Sequence, residues 1–182
     1  TTASVFTDLS KQFSATVANT SNTTVTWNVN GIAGGNSTVG TITPAGLYTA
    51  PQNLPAQTSA TVAAVSQADA TKTASALVTI SSDVTVSVSP ATADVELGAT
   101  RQFTATVAGS GNPNRAVNWS VSSSGCSGAD CGLIDANGNF VAPQILPSPP
   151  TITVTARSIA VAAKSFAATA RVTSNFTLAV MG

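Results

Sequence analysis

Apolar and polar residues alternate along most of the chain in runs of about five to eight residues, as half-buried strands do. Clusters of Gly, Pro, Asn and Ser separate the runs. A period of two places successive side chains on opposite faces of an extended chain, so the pattern predicts β-strands buried on one face. Thr, Val and Ile dominate the runs, which favours strand over helix. The alanine-rich run ASALVTI at 74–80 has helical propensity in isolation, but its polar flanks and its place in the pattern predict another strand.

The pattern occurs twice along the chain. KQFSATVAN at Lys11–Asn19 matches RQFTATVAG at Arg101–Gly109, and VTWNV around Trp27 matches VNWSV around Trp119. The offset between the copies is 90 residues in the first pair of segments and 92 in the second, so the second copy has extra residues in the intervening loop. A long internal repeat of this kind predicts two domains with the same fold.

Each copy has the strand pattern of a β-sandwich with one tryptophan in a central strand. In an immunoglobulin-like sandwich such a tryptophan packs in the core. A surface tryptophan that binds a sugar is the alternative, but its recurrence on the core-facing phase in both copies favours core packing.

These segments carry a family resemblance. VTVSVSPATADVELGATRQFTATV, VNWSV, GLIDANGNFVAP and TITVTARS resemble the group 2 bacterial immunoglobulin-like domains, which occur in tandem in invasin- and intimin-like adhesins. The resemblance covers both copies, essentially the whole chain. It implies a β-sandwich used as a spacer or adhesive module, with no catalytic residues.

The predicted fold is therefore all-β, with two tandem immunoglobulin-like β-sandwiches. We assign residues 1–81 to the first domain, 82–174 to the second and 175–182 to a C-terminal strand. The second copy begins with strand A, VTVSVSP at Val84–Pro90, and no counterpart precedes Thr1 in the sequence. The first domain is thus predicted to lack its own strand A.

A counterpart of strand A occurs instead at the other end of the sequence. In NFTLAVMG, residues 175–182, the apolar residues Phe176, Leu178 and Val180 occupy the repeat positions of the three alternate valines of strand A. An unpaired sheet edge is a template for strand addition. We therefore expect this strand to complete the first domain of another copy of the chain, an acceptor domain that includes Val5, Phe13 and Trp27.

This expectation makes the protein a structural subunit of an extracellular filament, with copies of itself as head-to-tail partners. The arrangement resembles donor-strand complementation in pili. Three residues, 173–175, link the last strand of the second domain to the tail and reach only about 10 Å. Donation within one molecule is therefore disfavoured, because the vacant edge is expected about a whole domain away.

Two alternatives stay open. The sequence could be a two-repeat segment of a long covalent surface adhesin or stalk, in which the next repeat follows directly and the same register results. It could also be a carbohydrate-binding accessory module, although aromatic residues make up only 5% of the chain. A surface or glycan ligand is left open in either case.

Composition argues against several other functions. Hydrophobic residues make up 43% of the chain, enough to build cores, whereas charged residues make up 8%, against about 25% in typical domains. Seven basic and seven acidic residues cancel, so nothing indicates a nucleic-acid partner. No apolar run approaches the roughly 18 residues that span a bilayer. Without histidine, Ser-His-Asp catalysis is excluded, and we predict neither enzymatic activity nor a cofactor.

Two cysteines, Cys126 and Cys131 in CSGADC, have a spacing that can close a small disulfide loop, and a pair of free thiols is the alternative. A disulfide implies an oxidising compartment. Together with the resemblance to surface adhesins, we expect an extracellular, cell-surface location. DANGN at 135–139 hints at a calcium loop, but the first copy has TPAGL at this position. A hairpin turn is therefore favoured, and no metal site is predicted. Candidate N-glycosylation triplets begin at Asn19, Asn22, Asn36, Asn118 and Asn175.

Overall fold

The computed structural model describes residues 1–176 and residue 179. The chain forms two compact units. The first comprises Thr1–Val84 with the loop Ala108–Asn114, and the second comprises Thr85–Val107 with the chain from Arg115 onward. Both units are built from β-strands arranged in facing sheets, which confirms the predicted all-β fold of two tandem immunoglobulin-like sandwiches.

The first unit contains nine strands in two sheets. In one sheet the order is β1-β9-β8-β3-β4, and in the other it is β2-β7-β6-β5. The strands are β1 Thr2–Phe6, β2 Ser10–Gln12, β3 Val25–Val29, β4 Ile32–Ala33, β5 Gly35–Asn36, β6 Gly40–Ile42, β7 Leu47–Thr49, β8 Ser59–Ser66 and β9 Thr73–Ser81.

The second unit also has nine strands, and it begins with a strand, β10, that precedes the counterpart of β1. Its sheets have the orders β11-β18-β17-β14, β12-β16-β15 and β10-β13. The strands are β10 Thr85–Ser89, β11 Thr92–Glu96, β12 Thr100–Gln102, β13 Thr104–Ala108, β14 Val117–Ser122, β15 Leu133–Ile134, β16 Asn139–Val141, β17 Thr151–Ser158 and β18 Ser165–Thr173. A short 3-10 helix spans Gly128–Cys131.

Strand register is the same in the two copies. Trp27 of β3 lies opposite Ala64 of β8, and Trp119 of β14 lies opposite Ala156 of β17. In each unit an early strand runs parallel to the last one: β1 pairs with β9 from Thr2–Leu77 onward, and β11 pairs with β18. The hydrophobic period of two determines which face of each long strand is buried, because that face must reach the core.

Each unit has its own apolar core between its sheets. The first core contains Val29, Tyr48 and Val62, and the second contains Phe103 and Phe140, all at 1% exposure or less. The alanine-rich run 74–80 lies within β9, with alternate residues buried, so its strand prediction is confirmed.

Across residues 1–176, no helix has the length and apolar character needed to cross a lipid bilayer.

Candidate strand-acceptor groove

An open groove runs along the first unit between residues 13–18 and the first half of β9. Its floor includes Trp27 from β3 with Val62 and Ala64 from β8. Two adjoining cavities of about 230 Å³ and about 420 Å³ make up the groove. The sequence at 13–18 alternates like a strand, yet the segment forms no strand here. A segment of this composition needs a hydrogen-bonded neighbour to be a strand, and none lies beside it among the described residues.

The second unit shows what this position normally holds. The equivalent segment is β13, and β10 pairs with it. Val88 of β10 is buried in the core of the second unit, at 6% exposure, and Val86 is half-buried against the same core. One face of β10 thus packs on the core of this unit. The groove of the first unit is therefore the vacant strand A position.

Residues at equivalent repeat positions in the groove wall differ in solvent exposure between the two units. Phe103 and Val107, next to β10, are 0% and 2% exposed. Their counterparts in the first unit, Phe13 and Val17, are only half-buried. The side chains are identical in type, and the more exposed pair belongs to the segment that has no paired strand beside it.

The direction of the covering strand follows from contacts at its start. The backbone N–H and hydroxyl of Ser110, just after β13, donate to the Asp83 carboxylate, just before β10, at 2.8 and 2.5 Å. The start of β10 thus lies at the end of β13, and the two strands run antiparallel. The Ser110 hydroxyl, followed by its backbone N–H, holds the pKa of Asp83 below its ordinary value. In the repeat alignment Asn175 corresponds to Asp83 and Thr20 to Ser110.

The predicted acceptor residues divide into two sets. Phe13 and Trp27 line the groove. Val5 lies on β1, 8% exposed, in the core of the same unit and outside the groove lining. Of the predicted donor residues, Phe176 is 80% exposed, whereas Leu178 and Val180 lie outside the described residues.

A glutamine that the sequence reasoning passed over fixes one end of the groove. The Gln12 side-chain amide donates to the carbonyl oxygens of Phe13 and Ala45, both at 2.7 Å, and the Phe13 N–H donates to the Gly46 carbonyl at 2.9 Å. These bonds tie the β6–β7 turn to the segment that begins the groove wall, and Gly46 lies directly against Trp27. The sequence feature that could have indicated these bonds is the Gln-Phe pair, which recurs in KQF and RQF.

The second unit has equivalent glutamine hydrogen bonds, and we call this arrangement the glutamine clamp in both units. The Gln102 amide donates to the carbonyl oxygens of Phe103 at 2.7 Å and Asn137 at 2.8 Å. Since this unit has its strand A and the first does not, the clamp belongs to the sandwich itself and leaves the groove wall in place when the covering strand is absent.

The predicted disulfide is present, with the Cα atoms of Cys126 and Cys131 5.2 Å apart. The DANGN segment forms a turn: the Asp135 carboxylate accepts bonds from the backbone N–H groups of Asn137 and Asn139 and from the Asn139 amide. The Asn139 side chain contributes most to lowering the pKa of Asp135. No group of three or more His, Cys, Asp or Glu side chains that could hold a metal ion occurs in the described part of the chain.

The candidate glycosylation residues are all solvent-exposed, as an acceptor asparagine must be. These are Asn19, Asn22, Asn36, Asn118 and Asn175. Their modification stays a prediction.

No protein-family model and no curated protein matches the sequence. The resemblance to group 2 bacterial immunoglobulin-like domains therefore stays a prediction.

The chain is similar to parts of three solved structures at low identity. Protocadherin Gamma B2 extracellular cadherin domains 3–6 has 16% identity and a TM-score of 0.42, over 96% of this chain and 49% of that chain. Surface layer protein SbsC, domains 1–6, has 17% identity and a TM-score of 0.40, over 90% and 22%. The N-terminal four Ig domains of Dscam1 isoform 8.4 have 14% identity and a TM-score of 0.38, over 96% and 43%. The chain thus spans less than half the length of each. The immunoglobulin-like assignment rests on the strand order and cores described above.

Proposed function

We propose that the protein is a structural subunit of an extracellular filament, in which residues 175–182 of one molecule fill the strand A groove of the next. The observation that carries the proposal is the contrast between the two repeats. The second unit covers Phe103 and Val107 with β10, whereas the first unit leaves Phe13 and Val17 half-buried beside an open groove.

The sequence of the donated strand fits this groove. Phe176, Leu178 and Val180 occupy the repeat positions of Val84, Val86 and Val88. Full burial of a side chain of this size contributes about 1.5–3 kcal/mol, so the three together contribute roughly 5–8 kcal/mol. Main-chain hydrogen bonds to residues 13–18 add to this, while the loss of translational and rotational freedom opposes it.

Head-to-tail growth follows from where donor and acceptor lie. The groove is in the first unit and the donor strand follows the last strand of the second, so the contact joins two different surfaces. Such a heterologous contact extends into an open fibre unless the rotation between copies closes a ring. The disulfide supports an oxidising, extracellular setting.

The main alternative is a covalent array, in which the preceding repeat of the same polypeptide supplies the strand. The position of residues 175–182 in the repeat supports a covalent array as well as it supports a non-covalent filament. The mass of material purified from its natural source separates the two: a band near the chain mass of 18.0 kDa on a denaturing gel supports a non-covalent filament. A much larger species that survives boiling supports a covalent array.

The assembly mechanism is tested with the full chain in solution. Sedimentation velocity is measured for the native chain and for a donor variant in which Phe176, Leu178 and Val180 are all changed to Asn. We expect concentration-dependent polymers for the native chain and monomers for the variant. Polymers that persist in the variant would contradict strand donation.

A second experiment fills the groove of the first unit and leaves residues 175–182 unchanged. Residues 82–90 are fused before Thr1, so that the first unit receives a strand A of its own, and this chain should stay monomeric. The matched control carries the same fusion with Val84, Val86 and Val88 changed to Asn in the added copy, which cannot cover the groove and should still polymerise.

A further inference from the structure

Two hydrogen bonds hold the start of strand A in the repeat that has this strand. The backbone N–H and the hydroxyl of Ser110 both donate to the Asp83 carboxylate, at 2.8 and 2.5 Å. Val84, the next residue, is 0% exposed. The bonds therefore fix which residue of the incoming chain stands at the end of β13, and this determines which residues of β10 lie opposite which residues of β13.

A donated strand has to find its register in the same way. A slip of one residue would turn Phe176, Leu178 and Val180 out of the groove, because successive side chains of a strand point to opposite faces. A slip of two residues keeps the apolar face inward, so the alternation of the sequence does not prevent it. A polar contact at a defined position of residues 175–182 would exclude both slips.

The first unit has the two required donors at the equivalent position. Thr20 corresponds to Ser110 in the repeat and is exposed. Its hydroxyl oxygen accepts a bond from the Asn22 N–H at 3.2 Å, which leaves the hydroxyl hydrogen free to donate. Within the part of the chain that the structure describes, the Thr20 backbone N–H has no hydrogen-bond partner. Both kinds of donor that Ser110 uses are thus available at Thr20.

Asn175 carries the matching acceptor. It corresponds to Asp83 in the repeat and is exposed. Its side-chain oxygen occupies the place of a carboxylate oxygen of aspartate, and an amide oxygen has two lone pairs, so it can accept both bonds. Bonds to a charged acceptor are roughly twice as strong as bonds to a neutral one. The contact at Asn175 is therefore the weaker of the two, and it carries no charge.

The residue before the donors differs between the copies. A Cβ added at Gly109 would lie 3.2 Å from the Asp83 Oδ1 atom, and the first unit has Asn19 at this position, with φ 59°. The backbone beside Thr20 therefore has to shift slightly as the strand arrives, which an exposed loop can do.

We infer that Asn175 sets the register of the donated strand by accepting hydrogen bonds from the backbone N–H and the hydroxyl of Thr20 in the next molecule. The inference rests on the proposed function. Phe176, Leu178 and Val180 contribute affinity through burial, whereas Asn175 contributes position through a single residue of the acceptor. Its effect should therefore depend on Thr20.

The test measures one joint between two full chains. The acceptor chain is the triple Asn donor variant, and the donor chain carries residues 82–90 fused before Thr1, so a mixture of the two can form only one kind of joint. The dissociation constant is measured by sedimentation with Thr20→Val in the acceptor chain, with Asn175→Leu in the donor chain, with both and with neither. Thr20→Val should raise the constant about two- to tenfold and Asn175→Leu about fivefold or more, because one and two bonds are lost. With both substitutions, the constant should equal that for Asn175→Leu alone.

Two further variants serve as controls. Thr23→Val removes the same group from another exposed residue of the loop and should leave the dissociation constant unchanged. Asn175→Asp keeps the two acceptor lone pairs and should bind at least as tightly as the native donor at neutral pH. Circular dichroism of each separate chain checks that these substitutions at exposed positions leave the fold intact.

The outcomes separate this inference from the proposed function. If the effects of Thr20→Val and Asn175→Leu multiply, or if Asn175→Asp binds as weakly as Asn175→Leu, the role of Asn175 is overturned while strand donation stands. If the acceptor and donor chains form no complex when Thr20 and Asn175 are both native, strand donation itself fails.

Discussion

A pair of isosteric substitutions, Val17→Thr and Val107→Thr, tests the open groove most directly. The two valines occupy equivalent repeat positions and differ in cover: Val107 is 2% exposed, whereas Val17 is half-buried. Threonine keeps the shape of valine and replaces a methyl group with a hydroxyl. A hydroxyl buried without a hydrogen-bond partner costs about 1–3 kcal/mol.

The expected costs follow from this difference in cover. Val107→Thr should destabilise the second unit by about 1–3 kcal/mol, a drop in its melting temperature of about 4–8 °C per kcal/mol. Val17→Thr should change the stability of the free first unit by less than about 0.5 kcal/mol, because the hydroxyl can stay in water. In the assembled state that hydroxyl is buried, so Val17→Thr should weaken assembly about 5- to 150-fold.

Both variants are made in two backgrounds. Stability is measured by calorimetry in the triple Asn donor variant, which keeps the chain monomeric, and assembly is measured by sedimentation in the otherwise native chain. If Val17→Thr destabilises the first unit as strongly as Val107→Thr destabilises the second, the groove is already covered in the free molecule and the reasoning is refuted. Unchanged assembly in Val17→Thr would show that the incoming strand does not cover this residue.

Three other predictions concern the sandwiches themselves. Gly46→Ala should destabilise the first unit by about 3 kcal/mol or more, because the new Cβ would lie 2.4 Å from the Phe13 carbonyl oxygen at a residue with φ +83°. The control is Gly31→Ala, at φ +80° with no atom within 4 Å of the new Cβ. Thermal unfolding should show a loss of only about 1–2 kcal/mol for this control. Burial raises the pKa of Tyr48 to about 12 from 10.0. The stability that the protonated Tyr48 contributes is therefore complete below pH 10.0 and is lost as the pH rises toward 12. This alkaline loss of stability should vanish in Tyr48→Phe, and a loss that persists in this variant would come from another group. Reduction of the disulfide should lower the stability of the second unit by about 2 kcal/mol, and a chain with Cys126→Ser should melt at the same temperature with and without reductant.

The repeat pattern predicted the architecture because the core-facing residues recur in both copies. The alternation of apolar residues defines which face of each long strand is buried, and Trp27 and Trp119 mark the same strand in each unit. The vacancy was predicted for the same reason, since comparison of two copies of one fold reveals which strand one of them lacks.

Other features could not be predicted because they depend on distances that the sequence does not contain. The Gln12 clamp needs the β6–β7 turn to lie beside Phe13, and nothing in the local sequence places it there. Val5, predicted as a residue of the acceptor domain, lies on β1 beside β9, and its side chain belongs to the core of that domain.

The parallel pairing of β1 with β9, and of β11 with β18, has a mechanical consequence. In each unit one of these strands belongs to the start of the repeat and the other to its end. A force that pulls the two ends of a unit apart therefore slides neighbouring strands lengthwise past each other. Every backbone hydrogen bond between them bears the load at once instead of opening one after another, so each sandwich is built to resist stretching along its chain.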